Sequence, residues 1–180
     1  MVFNLWGFPF ISLVPVFAKD IMQLSDTATG LLVSAEGIGA FVGALALSVF
    51  APAQNARRLY TLGVVCYCLA ALTFAQVDAI GLAALALLIV GLMSAGFGAM
   101  QSALVLINSP SSLTSNMMGV LAVCIGTAPI GFLHIGLMAD WFGTSAAATI
   151  TAIEGILAML VVSWRWPVLW SAQTMQTTAR

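Results

Sequence analysis

Six runs of apolar residues, each close to the length that crosses a bilayer, leave this chain few ways to fold. A membrane-spanning helix needs about 20 predominantly apolar residues. The runs cover about 1–18, 27–50, 59–76, 80–106, 117–138 and 144–164. None alternates apolar with polar residues, and an open strand edge has no partner in lipid, so the runs predict helices. Charge agrees: only 6% of the residues are Asp, Glu, Lys or Arg, and 62% are hydrophobic. A soluble domain carries about 25% charge. Too little charge to clothe a water-facing globule excludes a soluble enzyme and a disordered chain. Arg57-Arg58 is the sole basic pair, so no nucleic-acid partner is expected. Cys66, Cys68 and Cys124 lie within apolar runs and have neither disulfide-framework nor zinc spacing. No metal or cofactor is expected. The reading is an all-α polytopic membrane protein with a six-helix bundle over 1–170, a short tail at 171–180, and the lipid bilayer as its first partner.

The loops are short and polar: 19–26, 51–58, 77–79, 108–116 and 139–143. Ser25 or Asp26 can cap the second span, Pro52 and Pro110 break helices, and Gly143 can end a turn. Pro9 and Pro15 predict a kinked or broken first span. That span opens on Met1-Val2-Phe3-Asn4-Leu5-Trp6, with no polar lead, basic flank or small-residue cleavage site. The expectation is a chain that starts inside a larger protein. Six spans place both termini on one side, together with Arg57, Arg58, Arg165 and Arg180; Lys19 falls opposite. The positive-inside rule makes that basic side cytoplasmic, which for a cell (inner) membrane puts both termini inside. Trp164, Trp166 and Trp170 would anchor the inner interface and Trp141 the outer one.

Small residues recur at four-residue spacing in the second span, as Ala35, Gly39 and Gly43, and in the fourth, as Gly91-Ala95-Ala99 and Ser94-Gly98-Ser102. Such ridges let helix backbones approach closely, so Gly39, Gly43, Gly91 and Gly98 are expected at helix contacts. Three ionisable residues fall within spans: Glu36, His134 and Glu154. A charge at the bilayer centre costs about 2.5–3.5 kcal/mol on insertion scales, so each is a candidate for proton coupling or the substrate path. Glu36 shares its face with Gly39, Ala40 and Gly43; His134 shares a stripe with Cys124, Thr127 and Gly131, near the outer end of its span. An intramembrane serine protease would place a serine on the fourth helix and a histidine on a later one. Here Gly91-Leu92-Met93-Ser94-Ala95-Gly96 is not Gly-x-Ser-Gly and the histidine is on the wrong span, so no enzyme is expected.

The stretch FISLVPVFAKDIMQLSDTATGLLVSAEGIGAFVG, residues 10–43, resembles the seventh and eighth helices of the major facilitator superfamily, in the branch of enterobactin and macrolide exporters. Its marks are Pro15-Val16-Phe17, Gly30 and the run from Gly37 through Gly39 to Gly43. A second match runs from Pro110 through Met118-Gly119 and Pro129-Ile130-Gly131 to Ala139-Asp140-Trp141-Phe142-Gly143. The branch usually has Arg-Gly-Arg where this chain has Thr114, Ser115 and Asn116. The resemblance covers the second half of such a transporter. It implies proton-driven export (antiport) of a small molecule such as a siderophore or drug. It also implies a partner, either an N-terminal six-helix half or a second copy of this chain. The rival expectation is a truncated, nontransporting membrane protein or an interaction subunit of a transporter.

Overall fold

A computed structural model describes residues 1–50 and 55–170. From Phe3 to Ile21 the chain is helical but never settles into one regular helix. A π turn at Phe3–Gly7 leads to a 3₁₀ stretch at Phe8–Leu13, one turn of α-helix at Val14–Val16 (α1), and a second π turn at Phe17–Ile21. Pro9 and Pro15 explain this, because each removes an amide donor and crowds the preceding turn. The Ile11 carbonyl, to which Pro15 has no amide to offer, accepts the Val14 amide instead, and the π turns close on their own bonds, the Phe8 amide donating to the Phe3 carbonyl. The Met22 amide reaches the Phe17 carbonyl at 3.1 Å. The Ser12 hydroxyl donates to the Pro9 carbonyl at 2.7 Å.

Six longer helices follow: α2 Asp26–Phe50, α3 Ala56–Ala75, α4 Ile80–Asn108, α5 Thr114–Ile125, α6 Ala128–Phe142 and α7 Thr144–Arg165, with a 3₁₀ turn at Pro167–Trp170. Among the described residues five segments are long and apolar enough to cross a membrane: α2, α3, α4, Thr114–Phe142 and α7. The expected first span is the exception, its proline-broken pieces each being too short. The fifth span also departs from the expected unbroken helix over 117–138, since α5 and α6 meet at a break over Gly126-Thr127. Pro129 has no amide to offer the Ile125 carbonyl, so the ladder cannot run through. Backbone polarity inside a membrane must be met within the protein. Here the Cys124 carbonyl accepts the Thr127 hydroxyl at 2.7 Å and the Asn4 side-chain amide at 3.4 Å. Pro52 and the tail 171–180, with Arg180, lie outside the described residues.

The N-terminal segment is the centre of the bundle. Phe3, Phe10, Val14, Phe17 and Ala18 are buried. Phe3 stacks on Phe97 with ring centroids 3.6 Å apart, and Phe10 and Phe17 meet Phe74 at 5.5 and 5.0 Å. Around it α2 packs on α4, α4 on α3, α3 on α7, and α7 on α6. The outward surface is apolar: Phe41 is 71% exposed and Val123 73%. A soluble monomer rarely exposes so much contiguous apolar surface. With five membrane-length helices and this greasy exterior, the chain is a helical membrane protein.

The glycine ridge is realised on α2 and α4. A Cβ at Gly39 would strike the Leu88 carbonyl, one at Gly43 the Leu92 backbone, and one at Gly91 the Glu36 carbonyl. Gly98 does not belong to this contact, contrary to expectation, because a Cβ there meets open space. It lies about two turns beyond Gly91.

Candidate functional site

The sequence places His134 on α6 and Glu154 on α7, and the turn between these helices brings them together. Gly143 alone separates α6 from α7, at φ +86° and ψ 161°, a conformation open to glycine and strained for other residues. This tight hairpin sets residues nearly equidistant from Gly143 side by side. His134 Nε2 and Glu154 Oε2 stand 2.7 Å apart, an ion pair when the imidazole is protonated. Because α6 runs on to Phe142, His134 lies about 12 Å from its helix end, deeper than a span ending at 138 implied. Glu154 lies about 15 Å into α7, so the two share a depth.

The pair is not sealed. Its side chains keep 33% and 36% of their surface, and both line a cavity of about 520 Å³. The remaining walls are Leu5, Trp6, Ile130, Gly131 and Leu157. The N-terminal segment closes the back of the cavity by seating on two glycines. A Cβ at Gly131 would meet the Leu5 carbonyl and the Pro9 ring, and one at Gly155 would meet Cys68 Sγ and Trp6 Cβ. Trp6 thereby stands over the pair's helices while staying partly open to the cavity. Its role was not read from the sequence, nor was that of Asn4, which is buried and bonded to the α5–α6 break about two turns before His134.

Glu36 takes no part in this pair. It sits where α2 crosses α4, its backbone against Gly91. The Ser94 hydroxyl donates to the Gly91 carbonyl at 2.8 Å. His134 Nε2 is thus engaged by Glu154 and Ser94 by its own helix; the two do not meet as a serine–histidine pair. Among the described residues no group of three His, Cys, Asp or Glu side chains is placed to hold a metal.

Charged and hydrogen-bonding groups otherwise gather at the two ends. At one end Arg57 donates to Asn108 Oδ1 at 2.9 Å, Arg58 Nε donates to the Trp170 carbonyl at 2.6 Å, and Arg165 lies over Trp166. At the other, Lys19 pairs with Asp26 at 2.7 Å, Gln76 donates to Thr149 at 2.7 Å, and Ser145 donates to the Ala75 carbonyl. The Asp26 hydrogen bond and charge push the Lys19 ammonium above its usual range.

These features define a helical membrane protein with a histidine–glutamate pair well inside its helices, facing a cavity. No known protein family, curated protein or solved structure matches the chain.

Proposed function

We propose that the chain is the C-terminal six-helix half of a secondary-active, proton-coupled exporter of small molecules, drugs or siderophores among them. It lies in the cytoplasmic membrane with both termini inside, and the N-terminal segment counts as the first of the six transmembrane passes. The observation that carries the reading is the His134–Glu154 pair, held at depth against an open cavity. Ionisable residues inside spans mark proton relays and substrate paths. The setting supports it further. The cavity is bordered by the broken N-terminal helix and lies beside the α5–α6 break, and transporters build their sites from interrupted helices near the bilayer midplane. The order of motifs shared with the enterobactin and macrolide exporters supplies the family and the direction. Glu36 is a second candidate for proton transfer, at the α2–α4 crossing that must shear if the bundle rocks.

The test is accumulation in an efflux-deficient cell expressing the chain with a six-helix N-terminal partner. Retention of at least one compound from a panel of lipophilic drugs and catecholate siderophores should fall, and a protonophore should restore it. A panel unaffected in every pairing, with both proteins shown in the membrane, rejects the exporter reading.

A further inference from the structure

Among the described residues α4 carries both α2 and α3, and no comparable packing joins α2 to α3. The gap between them is a groove with a volume of about 530 Å³. It runs from Gly43 to Phe50 along α2 and from Cys66 to Asn55 along α3, over a floor that includes Met93 and Gly96 of α4. Its inner end is shut where α2 meets α4, since a Cβ at Gly43 would strike the Leu92 backbone. Phe50 and Leu62 on its edges are exposed, so its long side opens to the bilayer. Length identifies the class of occupant. Eleven residues separate Asn55 from Cys66, about 16 Å of helix. That is close to half of a hydrocarbon core of about 30 Å, the depth of one leaflet. A helix roughly 10–12 Å across and equally long would need about 1,500 Å³, so a helical segment does not fit. A single acyl chain, narrow, apolar and one leaflet long, does.

Charge identifies the headgroup. The groove ends on Asn55, the one amide in its lining, with Arg57 and Arg58 next along α3. Arg57 donates to Asn108 Oδ1 and Arg58 Nε to the Trp170 carbonyl, each bond engaging one of the five donors that a guanidinium carries. Asp20, Asp26, Asp78 and Asp140 all lie at the opposite end of the bundle. Residues 51–54 and 171–180 contain no acid, so no surface carboxylate competes with a phosphate at the arginine end. Guanidinium groups bind phosphate through paired N–H donors, and basic pockets between transmembrane helices on the cytoplasmic side take lipid headgroups. We propose that the groove between α2 and α3 is a site for one anionic phospholipid, an acyl chain lying between Gly43–Phe50 and Asn55–Cys66 and its phosphate held at Arg57 and Arg58. Topology alone accounts for arginines at one end, and an apolar groove alone takes any lipid. Their meeting at one mouth is what confers selectivity. In the orientation expected from the arginines the site faces the cytoplasmic leaflet, whose surface is anionic.

Lipid selectivity at this groove is independent of export, so its test needs no transport. The full chain is placed in phosphatidylcholine nanodiscs with a trace of phosphatidylglycerol that carries a diazirine near the end of one acyl chain, and photo-crosslinks are mapped by mass spectrometry. Crosslinks should concentrate on the groove, at Leu62, Cys66 and Met93, several times above those at Val123, which is 73% exposed on α5. Replacing about a tenth of the phosphatidylcholine by unlabelled phosphatidylglycerol should cut the groove crosslinks about threefold and leave those at Val123 nearly level. The same amount of phosphatidylethanolamine should change neither. Arg57→Gln and Arg58→Gln should each weaken the phosphatidylglycerol preference about fivefold, the worth of one cation near a membrane surface, with Arg57→Lys keeping most of it. Arg165→Gln, on α7, should alter it less than twofold. Ala46→Phe, at an exposed position in the lining, should block the groove and lower its crosslinks about fivefold without touching Val123. Crosslinks spread evenly over groove and Val123 overturn the proposal. So does displacement by phosphatidylethanolamine as effective as by phosphatidylglycerol; neither readout needs a variant to fold. A preference that survives loss of both arginines in folded protein overturns it as well. Selective lipid binding in a chain that exports nothing keeps this site and rejects the exporter. Export with evenly spread crosslinks keeps the exporter and rejects this site.

Discussion

Removing either partner of the His134–Glu154 pair strands the other at depth, and the size of that penalty depends on burial. Breaking a fully buried pair costs about 3–5 kcal/mol, and an exposed one contributes under about 1 kcal/mol. With a third of each side chain exposed to the cavity, an intermediate value applies. His134→Ala and Glu154→Ala should each destabilise the chain by about 1–2 kcal/mol. Unfolding in mixed micelles measures this, and the double variant should fall short of the sum by about 1 kcal/mol. Additive losses would mean the two side chains do not interact. Glu36→Gln asks a different question. In an assembled transporter it should abolish proton-driven flux while substrate binding survives; an unchanged pH profile would make Glu36 a structural carboxyl. All three residues were legible in the sequence as ionisable groups within apolar spans. Their grouping was not, because it turns on where α6 ends. An assumed loop over 139–143 hid the hairpin at Gly143, although the two residues stand nine before and eleven after that glycine. Trp6 and Asn4 gave no signal beyond their place in a span with two prolines.

The elements test whether close backbone approach or spare room governs a glycine. At Gly91 a new Cβ would collide with the Glu36 carbonyl, a backbone atom that cannot rotate away. Alanine gains about 1 kcal/mol of helix propensity over glycine, too little to offset separation of α2 from α4. Gly91→Ala should therefore lower the melting temperature by several degrees. Gly98→Ala, facing open space, should leave it level or raise it slightly. Equal effects at the two positions would remove Gly91 from the crossing. The α5–α6 break allows a similar comparison. Its Cys124 carbonyl holds the Thr127 hydroxyl at 2.7 Å but the Asn4 amide only at 3.4 Å. Thr127→Val should thus cost about 1 kcal/mol and Asn4→Leu less, by thermal unfolding. Repeating small residues made the α2–α4 ridge readable in advance. The break was not read, although Gly126-Thr127-Ala128-Pro129 carries a glycine and a proline three residues apart. The apolar run simply continues across it, and hydropathy does not register a missing amide.

For the whole molecule, orientation follows from which end gathers the arginines. Arg57 and Arg58 begin α3, Arg165 ends α7, and antiparallel succession puts all three at one end. Contacts hold them there: Arg57 reaches the last turn of α4 and Arg58 reaches Trp170. Lys19 lies at the opposite end, paired with Asp26. Arginines near helix ends in short loops set topology, whereas acidic residues contribute little. Trp164, Trp166 and Trp170 mark the arginine-bearing interface and Trp141 the other. The expected orientation is arginines inside, and impermeant thiol reagents can read it in whole cells once Cys66, Cys68 and Cys124 are replaced by serine or alanine. A cysteine at Asp78, in the turn between α3 and α4, should label from outside. A cysteine at Asn55, just before α3, should label only after permeabilisation. The reverse pattern inverts the molecule and places the arginines outside. Labelling at both positions in intact cells means α3 does not cross, which removes the antiparallel frame that sets His134 and Glu154 at one depth.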